Sequence, residues 1–418
     1  MHEIDTLPRL DWDRFVDTHW DRRPVHIRDC GRGPFLSADA LRAAARAAKP
    51  DADADAGSTP QAQFTVERAQ QADPRAALPR AGERRLDAYA RRLSALADGR
   101  RHALIVNRLH SLDARLWRRE RDWFAALWRR TGLPSGSAIT TLFHGNYEHS
   151  PIGVHKDRFA TFMFVLAGRK RMRFWPQCPW REPVSTLLDY SAHLPSSFAV
   201  ELGPGEALYW PASYYHVGET VGTQPATSVN VGIPREEQHR GYDLDDLLAG
   251  DASQPDAPGS LSACTTLELD AARTAPLTMP DGWREALAEL RHRCAPRAMT
   301  GRAACISLSR YGAGGFEPVP AAAPRPSLRA GDHVSPVPGA ELLWSAVAGT
   351  VLVGANGHAA ETGLDAATVS RLIDALQDGR TRRAGALLAL ADGTPARRAL
   401  LALLCDLVAW RALRLRRG

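Results

Sequence analysis

Lysine is almost absent from this chain. Of its 53 basic residues only three are lysines, Lys49, Lys156 and Lys170, and arginine supplies the rest. The two side chains are not interchangeable, because the lysine ammonium is a compact charge on a flexible stem and the guanidinium is a rigid planar fork. In a chain that otherwise uses arginine, a lysine in an unusual environment therefore indicates a position that requires a compact cation.

Cysteine is also scarce, and none of the six cysteines has a Cys-x-x-Cys partner. The sequence therefore predicts neither a zinc ribbon nor a disulfide framework, and this usage fits a reducing, cytoplasmic compartment. The N-terminus lacks the basic start and apolar stretch of a secretory signal. No uninterrupted apolar run approaches the length of a membrane span, since the stretch from Ala399 to Val408 is broken by Asp406.

The charge of the chain is mildly basic, with a formal net charge of +6. This charge is spread over 418 residues, and no stripe of basic residues interleaved with aromatic residues stands out. The sequence therefore does not predict nucleic-acid binding. Charged residues make up 24% and hydrophobic residues 44%, which is typical of a soluble globular protein with room for two or three domains.

Two histidines and an aspartate suggest a metal site. His155 and Asp157 form a His-x-Asp pair, and His216 follows much later in the chain. Two imidazoles and one carboxylate are the ligands of the facial triad of non-heme Fe(II) oxygenases. In a strand, residues two apart point the same way, so His155 and Asp157 can face one cavity while Lys156 faces outward. His-x-Asp alone is a weak signal, and the alternative is three unrelated residues.

The residues after this pair predict two buried strands. The run from Ala160 to Leu166 is apolar, and the run from Lys170 to Trp175 alternates strictly. The alternation places Lys170 on the same face as Met172 and Phe174. Because burying an ammonium without a partner is costly, an inward Lys170 predicts a bound anion. The alternative is an edge lysine whose stem is buried and whose charge reaches solvent.

Residues 137–233 resemble the JmjC/cupin-like 2-oxoglutarate (2OG) oxygenases. The resemblance is carried by the His-x-Asp pair, by Gly168-Arg169-Lys170, and by Gly205–Pro211 running into Tyr214–Thr220. The last segment is similar to the family signature Gly-Asp-x-Leu-Tyr-x-Pro … Trp-x-His-x-Val/Ile-Glu. This sequence departs from it with Glu206 in place of Asp and Tyr in place of Trp. Ser150 is only a loose equivalent of the Ser or Thr that relatives carry before the first His.

The resemblance implies a double-stranded β-helix of the cupin or jelly-roll type, a mostly β catalytic core with flanking helices. It implies that Fe(II) is held by His155, Asp157 and His216, and that Lys170 binds the far carboxylate of 2OG. Thr161 and Asn230 match positions that often help to bind the cosubstrate.

The activity implied by the resemblance is oxygenation with O₂, which releases succinate and CO₂. The favoured substrate is a side chain of a protein or peptide, as for the bacterial ribosomal-protein hydroxylases that the chain resembles. Two alternatives remain open: a cupin enzyme that acts on a small molecule without 2OG, and a catalytically idle JmjC-like binding scaffold.

The sequence also predicts a division into domains. Residues 1–100 are an N-terminal entry module that completes the JmjC-like domain, 101–250 the catalytic core, 251–328 a linker and helical region, and 329–418 a C-terminal α+β domain similar to a winged helix. The alternative for the last region is a helical cap or dimerisation module, which leaves a homodimer open. The basic end of the chain (Arg411, Arg414, Arg416 and Arg417) is expected to be a solvated tail of the last helix, predicted to run from Ala396 to Leu413.

Several local elements are predicted as well. Ser37 is expected to cap a helix, residues 83–97 to be helical, and residues 103–106 to form a strand. An amphipathic helix is predicted from Trp117 to Arg130, with Trp117, Phe124, Leu127 and Trp128 as its apolar side. Thr140 and Thr141 are expected on a strand that lines the cosubstrate pocket, and His26 is expected to be a structural core residue.

Overall fold

A computed structural model describes residues 4–48, 61–134, 136–147, 149–235, 247, 287–288, 290–292 and 294–418. The chain divides into two compact units, one of residues 1–237 and 313–324 and the other of residues 238–312 and 325–418. The four domains expected from the sequence remain a proposal. The predicted loop at 50–60 and the linker at 251–260 lie outside the described residues, and so does most of the helix expected at 280–294.

The first unit is mostly β-structure, with helices packed along one side. Its strands are β1 Asp5–Leu7, β2 Val25–Ile27, β3 Ala62–Val66, β4 Ala69–Gln70, β5 His102–Val106, β6 Ile139–Gly145, β7 His155–Lys156, β8 Phe159–Ala167, β9 Lys170–Trp175, β10 Phe198–Leu202, β11 Ala207–Trp210, β12 Tyr215–Thr220 and β13 Ala226–Pro234. Its helices are α1 Trp12–Thr18, α2 Ser37–Ala44, α3 Leu86–Leu96 and α4 Ala114–Thr131, with four short 3₁₀ helices, Ala45–Ala48, Pro74–Ala77, Leu109–Leu112 and Ser191–Ser196.

These strands form two sheets. The larger has nine strands in the order β1-β2-β11-β8-β13-β6-β5-β3-β4, and the smaller has four in the order β10-β9-β12-β7. Neighbours in these sheets are often distant in sequence, as in a double-stranded β-helix, so the predicted fold class is confirmed. The N-terminal strands complete the larger sheet, β1 and β2 at one edge and β3 and β4 at the other.

Alternation along β8 sorts its side chains between two cores. Phe162 and Phe164 pack into the large core beneath the helices. Met163 and Val165 instead pack with Met172, from the smaller sheet, in a core that lies between the two sheets. Successive strand residues point to opposite faces, so Met163 and Val165 define the interior face of the barrel.

Helix α4 covers the outer side of the larger sheet. All four residues of its predicted apolar side are buried, as expected for a helix with one apolar face. Asp113 caps the helix by accepting hydrogen bonds from the backbone N–H groups of Arg115 and Leu116. The predicted cap at Ser37 was wrong, because Leu36 is the N-cap of α2 and makes no side-chain cap hydrogen bond.

The second unit is α+β, as predicted. The elements within its described residues are α5 Pro296–Ala313, β14 His333–Pro336, β15 Leu342–Val347, β16 Thr350–Ala355, β17 His358–Thr362, α6 Ala366–Gln377, β18 Arg382–Arg383, α7 Ala384–Leu388, α8 Gly393–Ala409 and β19 Leu413–Arg416. Two three-stranded sheets, β18-β14-β19 and β15-β16-β17, share a core with α6, α7 and α8.

The end of the chain differs from the expectation. The last helix stops at Ala409, and Arg411 adopts a positive φ of 60° that turns the chain back. Residues 413–416 then form a strand that pairs with β14. The basic end is therefore part of a sheet, because Leu413 and Leu415 alternate with its arginines and pack into the core. Among the described residues, no helix is long and apolar enough to cross a membrane.

Candidate metal centre

Strand pairing brings the two predicted histidine ligands together. His155 on β7 lies directly opposite His216 on β12, and on its other side His216 lies opposite Phe174 of β9. Directly paired residues point to the same face of a sheet. The His155 and His216 ring centroids are therefore only 4.5 Å apart.

Asp157 completes the group. Its Oδ1 lies 3.5 Å from His155 Nε2 and its Oδ2 lies 3.5 Å from His216 Nε2. One ligand atom from each residue lies within 4.8 Å of the others, so the three side chains can hold one metal ion. His216 is buried, and Asp157 is 37% exposed at its side chain.

The backbone orients both imidazoles. His155 Nδ1 lies 2.9 Å from the carbonyl oxygen of Gly153, and His216 Nδ1 lies 3.3 Å from that of Tyr214. A hydrogen bond at Nδ1 places the proton there and leaves Nε2 free to ligate, as in most histidine metal sites. Both free nitrogens face Asp157, so the three donor atoms converge on one point.

The electrostatics favour the ligating forms of two of the three groups. Burial opposes ionisation of Asp157, but the contacts of its carboxylate with the His155 and His216 rings outweigh it and hold its pKa well below the ordinary value. Burial lowers the pKa of His216, which keeps its ring neutral. For His155 burial acts in the same direction, yet the hydrogen bond to Asp157 outweighs it and raises the pKa. A metal ion would displace the additional proton that the raised pKa leaves on the His155 ring.

Lys170 lies inside the barrel, as the alternation predicts. Its side chain is 2% exposed, and Met172 on the same face of β9 belongs to the core between the sheets. Lys170 pairs with Thr220 of β12, so it lies four residues along the strand from the His216 position, about 13 Å between backbones. The Lys170 Nζ donates a hydrogen bond to the Tyr147 hydroxyl and lies 4.1 Å from the centre of the Tyr147 ring.

No carboxylate pairs with Lys170 among the residues that the structure describes. Burial alone lowers the pKa of its ammonium to about 7. A buried cation without a counter-charge is unfavourable, and an anion in the barrel would relieve it. The edge-lysine alternative is wrong, because the charge does not reach solvent.

The two other predicted cosubstrate residues face the same interior. Thr161 is 4% exposed and lies two residues before Met163, so it shares the interior face of β8. Asn230 on β13 is directly opposite Met163. The buried Oδ1 of Asn230 has no hydrogen-bond partner among the described residues. The same is true of the indole Nε1 of Trp210, whose ring lies 5.1 Å from His216.

Ser150, the loose equivalent of the family's Ser or Thr, also lies close to these strands. Its backbone N–H donates to the Gly218 carbonyl over 2.8 Å, and its buried hydroxyl has no partner within the described part of the chain. With Thr161, Asn230 and Trp210, the interior holds polar atoms suited to a polar ligand.

The structure corrects one expectation for the site and adds one residue to it. Thr140 does not line the barrel, because it points to the outer side, where its hydroxyl donates to Glu120 over 2.5 Å. Tyr147 was missed, since it follows strand β6 in a segment with no periodic pattern. The only available signal was a tyrosine shortly after a strand predicted to enter the barrel. His26 is confirmed as a core residue and is 3% exposed.

Glu219, which lies in the signature-like segment Tyr214–Thr220, has a structural role. On the outer face of the smaller sheet it accepts hydrogen bonds from Arg173 over 3.1 Å, Arg171 over 3.3 Å and the Tyr190 hydroxyl over 2.8 Å. These bonds tie β12 to β9 and to the segment that precedes β10. Glu219 therefore supports the strand that carries His216 without facing the metal site.

Comparison with known proteins gives distant likenesses to solved structures. No protein-family model matches the chain, and no curated protein matches it. A solved structure of YcfD, a ribosomal oxygenase from Escherichia coli, covers 97% of this chain and 98% of its own, at 17% identity and a TM-score of 0.45. YcfD in complex with cobalt and 2-oxoglutarate matches over the same shares at 16% identity and a TM-score of 0.45. Oxalate decarboxylase from Bacillus subtilis matches over 33% of this chain and 27% of its own, at 10% identity and a TM-score of 0.19. Likeness at this level assigns no activity, so the function rests on the geometry of the site.

Proposed function

We propose that this protein is an Fe(II)- and 2-oxoglutarate-dependent oxygenase that hydroxylates a side chain of a protein or peptide. One observation carries the proposal. A group of two histidines and one aspartate, with its free donor atoms converging, shares the interior of a β-barrel with a buried lysine that no carboxylate neutralises among the described residues.

The donor set fits Fe(II). Two neutral imidazole nitrogens and one carboxylate oxygen leave positions on the metal for other ligands, which is the arrangement of the 2-His-1-carboxylate oxygenases. His155, Asp157 and His216 would hold the ion. The backbone contacts at both Nδ1 atoms support this assignment, since they fix the rings before a metal arrives.

The interior also fits a dicarboxylate such as 2OG. Lys170 would pair with the carboxylate far from the metal through a charge-assisted hydrogen bond, with the Tyr147 hydroxyl beside it. Thr161 and Asn230 would offer polar contacts along the interior. The unpartnered amide oxygen of Asn230 accepts hydrogen bonds, so it suits a bound water or a hydroxyl donor rather than a carboxylate.

When bound, Fe(II) with 2OG and O₂ supplies the oxidation, in which 2OG gives succinate and CO₂ and the substrate C–H gains a hydroxyl. The residues of the chain orient and enclose these groups. Lys170 neutralises the cosubstrate, the Gly153 and Tyr214 carbonyls fix the imidazoles, and Trp210 and Phe174 exclude water beside His216.

The substrate class rests on architecture. The N-terminal strands extend the larger sheet at both edges, and a second unit follows the barrel. Such a protein offers more surface than a metabolite needs, which favours a protein or peptide as the partner by analogy.

The first test is anaerobic spectroscopy of the full chain with Fe(II) and 2OG. We expect a visible metal-to-ligand charge-transfer band from the Fe–2OG chelate. The band should be lost in His216→Ala, which removes a metal ligand, and should need much more 2OG in Lys170→Ala. Lys156→Ala is the matched control, because Lys156 is an exposed lysine next to His155 and its loss should leave the band unchanged.

The outcomes separate the alternatives. No band in the wild-type protein, with Fe(II) bound, would remove 2OG and favour a cupin enzyme that acts on a small molecule. No Fe(II) binding at all would favour an idle scaffold. A band that survives in His216→Ala would contradict the assigned ligands.

A further inference from the structure

Strand pairing in the second unit gathers arginines from distant parts of the chain onto one surface. In the sheet β18-β14-β19, His333 lies opposite Arg383 on one side and opposite Arg416 on the other. Ser335 lies opposite Arg414. Directly paired residues point to the same face, and so do residues two apart on a strand. These five side chains therefore share one face, which we call the arginine face.

The opposite side of the same sheet is core. On β19, Leu413 and Leu415 pack inward with Val334 of β14. Arg414 and Arg416 alternate with these leucines and are exposed, and Arg383 is exposed too. The apolar residues therefore fix which way the arginines point.

The arginine face carries concentrated positive charge. Neighbouring strands lie about 4.8 Å apart and residues two apart on a strand about 6.8 Å apart. Arg414 and Arg416 are thus close neighbours, and Arg383 lies about 10 Å from Arg416 across β14. Like charges held this close repel one another, so an opposing charge would stabilise the face.

The protein itself does not supply that charge within its described residues. Arg383, Arg414 and Arg416 make no ion pair with a carboxylate of the described part of the chain. The nearby acids are engaged elsewhere: Asp332 accepts from Arg417 over 3.0 Å and from the Arg329 backbone over 2.8 Å. Asp378 pairs with Arg382, which precedes Arg383.

We propose that the arginine face binds the phosphate backbone of a nucleic acid. Guanidinium groups match phosphate oxygens through paired hydrogen bonds, and they are weakly hydrated, which suits an exposed anion-binding surface. Phosphates repeat along a strand, so a row of exposed arginines can meet several at once. None of the five described residues that define the face is a tryptophan, tyrosine or phenylalanine that could stack on bases. The face therefore supports contact with the phosphate backbone, without sequence preference.

The inference is independent of the proposed oxygenase activity. It also departs from the sequence-based expectation of no nucleic-acid binding. That expectation considered arginines as neighbours along the chain, whereas Arg383 joins Arg414 and Arg416 only through the pairing of β18 and β19 with β14.

Fluorescence anisotropy of the full chain tests the proposal with labelled single-stranded RNA of roughly 20 nucleotides and duplex DNA of roughly 20 base pairs. We compare wild type with the double variant Arg414→Ala/Arg416→Ala. Losing two phosphate contacts should lower the salt slope of log K by about 1.4 for a single strand and weaken binding roughly 25-fold at 0.1 M salt. Arg414→Lys/Arg416→Lys keeps the charge and should recover most of the affinity.

The matched control is Arg397→Ala/Arg398→Ala, which removes two exposed arginines from helix α8 and the same net charge. It should leave binding within about twofold. Equal weakening by both double variants, or an unchanged salt slope, would overturn the proposal, as would no binding by wild type. Tighter binding of labelled polyglutamate than of either nucleic acid would overturn it in favour of an acidic protein. Circular dichroism and thermal melting establish that the variants are folded.

Discussion

The two units of this protein use charge in opposite ways. The first unit buries its functional cation in the barrel, where Lys170 is 2% exposed. The second unit places arginines on the open face of a three-stranded sheet, at Arg383, Arg414 and Arg416.

This difference in burial determines what each surface can bind. A buried charge loses its hydration, so its pKa shifts and it gains strongly from one matched partner. An exposed charge keeps its hydration and gains little from one partner, and salt screens the interaction. The barrel is therefore suited to one small ligand, and the arginine face to a long polyanion that makes many weak contacts.

The largest expected effect comes from Asp157→Ala. Without the carboxylate only two imidazoles remain, and the affinity for Fe(II) should fall at least about 100-fold. Anaerobic Fe(II) titration measures it. RNA binding by the same variant should stay unchanged, because the two sites use different residues. Retained metal affinity would show that other residues hold the ion, and a parallel loss of RNA binding would break the separation between the units.

The next effect tests another buried titratable group of the first unit. Glu120 is fully buried, its Oε2 has no partner among the described residues, and burial raises its pKa to about 8. The folded state thus holds a proton that the unfolded chain releases above about pH 4.5, so stability should fall as pH rises from about 5 to 8.

Glu120→Gln removes that proton linkage while keeping the shape of the side chain and an acceptor for Thr140. We expect the variant to be more stable than wild type by about 3 kcal/mol at pH 7 and to show a flatter pH profile. Urea denaturation followed by tryptophan fluorescence at pH 5 and pH 8 measures both quantities. Identical pH profiles for the two proteins would mean that Glu120 keeps an ordinary pKa.

Lys170→Arg tests whether the compact cation matters. The larger, planar guanidinium must fit a buried position against Tyr147, and overpacking of this kind costs about 1 to 3 kcal/mol. The affinity for 2OG should therefore fall roughly 30-fold, as measured by the anaerobic charge-transfer band. Lys156→Arg is the control and should bind as wild type does. Equal affinity in Lys170→Arg would mean that any cation serves there.

The smallest effect needs no mutation. Raising salt from about 0.05 to 0.2 M should weaken RNA binding roughly 20-fold if three arginines contact phosphates of a single strand. The affinity for 2OG should change less than about twofold, because a buried pair is screened much less. Titrations at both salt concentrations check this contrast, and a similar loss for both ligands would abolish the distinction between buried and exposed charge.

The sequence predicted most residues of the candidate site and missed one of them. Strict alternation from Lys170 to Trp175 placed Lys170 inside the barrel, because the strand period of two is a local property. The grouping of His155, Asp157 and His216 was predicted from their types and from a family resemblance. Tyr147 was not predicted, because it follows a strand in an irregular segment and meets Lys170 only through the packing of the two sheets.

The residues of each strand that face inward could be predicted from the sequence, since the alternation of apolar and polar side chains is a local property. The sequence also predicted that one of only three lysines would lie in the barrel. The register that places His155 opposite His216 and Arg383 opposite His333 could be known only from the three-dimensional structure. Register depends on hydrogen bonds between strands that are distant in the chain, so no local pattern could fix it. For the same physical reason a basic end that looks like a solvated tail becomes part of an arginine-rich sheet face.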